Sequence, residues 1–167
     1  MRQRSQLFQS VTRVILVTIA IAIAWTSWLP VAAAESFDRQ NLRMQDFSGQ
    51  DLRGNDYTRA DLADANLKAA NLQGVRLFDT TLARANLEGA DLRFATLDGA
   101  RLIQANLTNA ILEGAYAFNT DFRQAVIEGA DFTDVLLDPK TNDQLCQVAA
   151  GTNPVTGRST RATLFCP

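Results

Sequence analysis

Carboxylates and two thiols are the side chains that first suggest chemistry. The 167-residue chain holds 18 Asp and Glu, two Cys and no His. Histidine is the commonest general base and metal ligand, so its absence removes many mechanisms at once. A Ser-His-Asp triad, a Cys-His dyad and histidine-ligated zinc are excluded, and two cysteines fall short of a four-thiolate zinc site. Asp46, Asp51, Asp56 and Asp61 recur at one five-residue phase. Catalytic carboxylates must converge in a cleft, whereas an even recurrence reads as a solvated surface ladder. Nor does the spacing define a cage for a hard cation. The expectation is a chain with no catalytic residues, no metal and no cofactor.

The elements that carry these residues begin with a targeting segment. Arg2, Arg4 and Arg13 precede an apolar run, Val14 to Ala24, and Ala32-Ala33-Ala34 follows. Basic start, short apolar stretch and small-residue site are the layout of a secretory signal peptide. Eleven strongly apolar residues are short for a membrane span, which needs about 20. The reading is a signal peptide over residues 1–34, cut between Ala34 and Glu35, and no membrane attachment afterwards. All 18 acidic residues lie from Glu35 onward, against 13 of the 16 basic ones, so the mature chain carries −5.

From Glu35 to Pro139 the chain divides into 21 uninterrupted pentads. The central residue is Leu in 14 of them; Phe, Tyr, Ile and one Ala fill the others. Two residues earlier lies a second selected site, held mostly by Ala from Ala60 to Ala130. A period of five matches neither a strand nor a helix. It works if the backbone turns a corner after each pentad, so that every centre points to a shared interior. Four corners close a 20-residue coil, a period typical of solenoids. Seven glycines fall in this tract, all at the last pentad position, a phase shared by Asn109, Asn119, Asp64, Asp79 and Asp134. These residue types tolerate the positive φ of a type II turn.

Tandem A-[DN]-L-x-x, as in ADLAD, ANLKA, ANLQG, ANLEG, ADLRF, ANLTN and ADFTD, resembles the pentapeptide-repeat family. The resemblance implies an all-β solenoid: a right-handed quadrilateral β-helix of about five coils over residues 35–139. VRLFD, TTLAR and AYAFN depart from the pattern, and Ala117 should leave a thin spot that Phe118 could turn in to fill.

Both ends of such a stack need covers. At the N-terminal end Gln40, Gln45, Gln50 and Asn55 replace the small residue, which adapts the first coil to water. Residues 140–167 read as a helical cap. Thr141 with Gln144 makes a capping-box pattern and Gly151 a C′ residue, which predicts a helix over 142–150 burying Leu145, Val148 and Ala149. A second short helix is expected between Ser159 and Phe165. Cys146 and Cys166 sit in these two elements, as buried thiols or as a disulfide; export favours the disulfide. The segment from Leu145 to Cys166 resembles the C-terminal extension of thylakoid-lumen pentapeptide-repeat proteins. That implies a photosynthetic source and a thylakoid-lumen or periplasmic location.

Three functions compete. Phe78, Tyr116 and Phe118 fall on one face of the square, with Phe94 at the corner leading into it, while Ile103, Ile111 and Val126 lie elsewhere. An apolar patch on a monomeric solenoid points to a protein partner of unknown identity, hence an interaction or scaffold role. The alternative is an acidic DNA mimic that inhibits gyrase, as some family members do. Against it stand a modest charge, arginines shared among faces and a signal peptide; binding of nucleic acid itself is not expected either. A hydrolase is the third reading and the weakest, because a filled prism has no cleft.

Overall fold

The computed structural model describes residues 34–167. The signal-peptide reading therefore lies outside the described residues, except for Ala34. Among the described residues no helix is long and apolar enough to cross a membrane.

The chain turns at the end of every pentad. Each turn carries a positive φ at its last pentad position, from Arg39 through Asp134. In most turns the next N–H donates to the central residue's carbonyl, as from Gln40 to Phe37 (3.0 Å) and from Ala85 to Leu82 (3.1 Å). Parallel bridges then join the residue before each centre to the residue twenty positions on, from Ser36↔Asp56 to Ile111↔Asp131. The last of these contacts are long enough to form two paired strands, β1 (Tyr116–Ala117) and β2 (Leu136–Leu137). Four pentads therefore close one coil, and the backbone groups of each coil are satisfied by the coils on either side. Stacked at about 4.8 Å, the centres form a dry axial core. Leu62 to Leu112 are essentially inaccessible, and Ala60 to Ala115 fill the spaces between them.

Aromatic centres gather at the two ends. Phe37 stacks on Tyr57 (4.9 Å), and Phe47 meets Tyr57 edge-on. Gln40, Gln45 and Gln50 are exposed here, and Asn55 half-buried. At the other end Phe122 and Phe132 meet edge to face at 6.2 Å. They share a coil with the fully buried Ala117, and their extra volume compensates for the missing leucine side chain there. Phe118 stays on the surface, so the expected inward turn does not occur.

The cap differs from the expectation. Helix α1 spans Pro139–Cys146, not 142–150. Its N-cap is Asp138, whose carboxylate accepts from the Thr141 N–H (2.9 Å) and hydroxyl (2.7 Å). Pro139 follows with φ already set for a helix, which moves the start three residues earlier. The end is earlier too, because the segment after Gln147 is drawn onto the last coil: the Ala150 carbonyl accepts from Gly129 N–H at 2.8 Å. Gly151 is not the C′ residue. Its φ is +80°, and a Cβ there would lie 2.8 Å from the Gly129 nitrogen, so glycine permits this close approach. Leu145 and Ala149 are buried, but Val148 points to solvent. Helix α2 is Thr160–Thr163. Buried Asn153 joins the halves of the cap to the solenoid, donating to the carbonyls of Asn109, Ala110 and Gly129.

Candidate interaction face

The carboxylate ladder serves the backbone. Twelve pentads have Asp or Asn before the central residue, at 41, 46, 51, 56, 61, 66, 71, 86, 91, 106, 121 and 131. In each, the side-chain oxygen accepts the backbone N–H two residues on, for example Ser48 N–H to Asp46 (2.9 Å) and Thr108 N–H to Asn106 (3.0 Å). This is an Asx turn that braces the following corner. Asn66, Asn86 and Asn106 also donate from coil to coil up one face. The sequence reading took these groups as solvated acids and missed the brace.

Their electrostatics follow from that role. Asp46 and Asp56 are held below the ordinary carboxylate range first by their hydrogen bonds to Ser48 and Thr58. The Arg53 and Arg123 guanidinium groups do the same for Asp51 and Asp121. For Asp131, burial pushes upward, but hydrogen bonds from Thr133 and the charge of Arg158 outweigh it. Arg158 lies 3.3 Å from Asp131 and 3.2 Å from Glu113, tying the cap to the last coils. No group of three His, Cys, Asp or Glu among the described residues could hold a metal. A groove of about 450 Å³ beside α1 is lined by Ile103, Phe122, Leu145 and Val148, with no convergent acid–base pair.

One face departs from the repeat. Reading up the stack, the Asx position there holds Ser36, Asp56, Arg76, Thr96, Tyr116 and Leu136, with only one Asp and no Asn. The last four coils have lost the brace. Two residues further along each pentad, the same face carries Asp38, Thr58, Phe78, Asp98, Phe118 and Asp138. Phe78, Tyr116, Phe118 and Leu136 keep 39%, 47%, 46% and 46% of their surface. Phe94 stands at the preceding corner and is 63% exposed. Its φ is +58°, a conformation that costs a bulky residue on the order of 1–3 kcal/mol. Its ring rests over Gly114, where a Cβ would come within 2.7 Å. The structure thus sets Phe78, Tyr116 and Phe118 on one face with Phe94 at its edge. It adds Leu136, in register with Tyr116, which the sequence reading overlooked. Writing the chain in rows of twenty would have found it.

At the cap, Cys146 and Cys166 are joined by a disulfide with a Cα–Cα distance of 5.5 Å. Arg161 donates to the Cys146 carbonyl (3.1 Å) and to the Pro167 carbonyl (2.6 Å) beside it. At the other end Ala34 and Glu35 are exposed. The coil ladder starts at Glu35, whose carbonyl accepts from Asp56 N–H and whose N–H donates to Asn55.

A stack of four-sided coils with Asx-braced corners defines a class of repeat protein, the five-residue β-solenoids. The chain belongs to one family within it: the pentapeptide repeats model matches residues 46–84, 76–114, 85–124 and 100–138. Members of this family form right-handed quadrilateral β-helices. The structure is similar to a pentapeptide repeat protein from the thylakoid lumen of Arabidopsis thaliana. Identity is 47%, the TM-score 0.76, and the match covers 77% of this chain and 90% of that one. A pentapeptide repeat protein from Nostoc Pcc 7120 matches at 36% identity and TM-score 0.55, over 64% of this chain and 88% of the other. A plasmid-mediated fluoroquinolone resistance protein matches at 19% identity over 68% and 92% of the chains, but its TM-score of 0.28 carries no functional argument. No curated protein sequence matches the chain.

Proposed function

We propose that the chain is a non-catalytic, exported scaffold protein that presents one solenoid face to a protein partner in the thylakoid lumen or periplasm. About five coils form the rod, and the disulfide-bonded helices close its C-terminal end. One observation carries the reading. On one face only, four successive coils give up the Asx brace, at Arg76, Thr96, Tyr116 and Leu136, and that same face carries the exposed Phe78, Tyr116, Phe118 and Leu136. A fold under selection for stability alone would retain the brace, which eleven of the fifteen pentads on the other three faces keep. Export is supported by the likeness to the Arabidopsis lumenal protein, by the disulfide and by a coil ladder that begins at Glu35. Residues 1–34 are then a signal peptide, and N-terminal sequencing of the accumulated protein should begin at Glu35.

The acidic-mimic alternative draws less support. Many acids are spent on corners or on arginines, as in Arg43–Asp64 (2.8 Å), Arg84–Asp64 (2.6 Å) and Arg93–Asp91 (2.5 Å). Crosslinking and mass spectrometry in the native compartment should recover one protein attached through Phe78, Tyr116, Phe118 or Leu136. Recovery should fall with Phe78→Ser/Phe118→Ser. Equal recovery from wild type and this variant would remove the proposal.

A further inference from the structure

We infer that Phe78, Asp98 and Phe118 form a notch for one cationic side chain, arginine or lysine, of a protein partner; this rests on the interaction-face reading above. The three residues occupy successive rungs of one column, an aromatic group on either side of a carboxylate. At about 4.8 Å per coil the two phenylalanines stand about 9.6 Å apart. A cation seated midway lies about 4.8 Å from each, inside the ~6 Å reach of a cation–π contact. Asp98 supplies the opposite charge beneath it. One of its oxygens already accepts from the Phe118 N–H at 2.9 Å, which holds the carboxylate against the rung above it. Among the described residues no arginine or lysine forms an ion pair with it, and Arg76 in the adjacent column pairs with Asp56 instead (3.1 Å). Tyr116, in the adjacent column beside Phe118, offers apolar surface for the methylene stem of a long cationic side chain. The chain from Glu35 onward is net acidic, which agrees with a cationic partner.

The test uses the protein purified as it accumulates in its own cells. N-acetyl-argininamide, N-acetyl-lysinamide and the uncharged N-acetyl-norleucinamide are titrated while the ring protons of Phe78 and Phe118 are followed by NMR. The two cations should shift these resonances saturably and the norleucine probe should not. Asp98→Asn keeps an oxygen for the Phe118 N–H, so it should fold as wild type and weaken the cations about tenfold. Phe78→Leu/Phe118→Leu keeps the apolar surface and should weaken them about fivefold. Norleucine binding equal to arginine, or unchanged binding in Asp98→Asn, overturns the inference. Failure here is distinguishable from failure of the face. If Asp98→Asn binds cations normally while the double serine variant loses its partner, the notch fails and the face stands. If cations bind as stated but partner recovery ignores the serines, the face fails.

Discussion

Phe94 shows what one residue gives up for its position. Asn or Gly would hold its positive φ without strain, and its exposed ring recovers little by burial. Phe94→Asn should therefore raise stability by about 0.5–1 kcal/mol in chemical denaturation while weakening partner binding. A loss of stability would mean that the ring's contact with Gly114 outweighs the backbone strain. Gly114→Ala makes the opposite change, placing a methyl group into that ring at φ +68°. It should cost roughly 1–3 kcal/mol and displace Phe94.

The braces predict a pH response at the same scale. Asp46, Asp51, Asp56, Asp121 and Asp131 all titrate below the reference value of 3.8 in the folded state. A carboxylate with a depressed folded pKa contributes its stability above the unfolded pKa and loses it as pH falls through the folded one. The melting temperature should stay level from pH 7 to about pH 5 and fall below about pH 4. A decline beginning near pH 6 would contradict this account.

Among the elements, the cap is the part stapled from outside the repeat. The disulfide closes a 20-residue separation between α1 and the C-terminus. Its reduction should cost about 3 kcal/mol, and hydrogen exchange should rise first over residues 139–166 while the Leu62–Leu112 coils stay protected. Uniform exchange throughout would mean that cap and rod unfold as one unit. The cap was also the part least legible in the sequence. Thr141 and Gln144 look like a capping box, but Asp138 belongs to the last pentad and serves as the cap of α1 as well. A residue with two roles hides the boundary. Val148 was misassigned for a related reason, since the pull of Gly129 on Ala150 ends the helix before Val148 can face inward.

In the whole molecule, the core was legible because every coil repeats one short phase, so five-residue spacing alone located the buried centres. The corners were legible only in part. Gly, Asn and Asp marked many of them, yet Arg39, Met44, Arg59, Ala69, Arg84, Phe94, Gln104 and Gln124 take the same positive φ. The ladder bonds above and below impose it, overriding local preference. The proposed interaction face was half visible, since Phe78, Tyr116 and Phe118 stand out by type, whereas Leu136 and Asp98 acquire meaning only from coil register. Because each coil touches just its neighbours, Leu97→Ala should cost about 2–5 kcal/mol, with its effect concentrated in the adjoining coils.

The closed square also makes length and orientation separable. Inserting twenty residues after Gly114 would lengthen the rod by one storey and keep every outward surface aligned. Inserting five would suit the leucine axis equally well, yet it would swing everything downstream through a quarter turn. Tyr116 and Phe118 would then look away from Phe78, so the proposed recognition would be switched off by a duplication that folding scarcely notices.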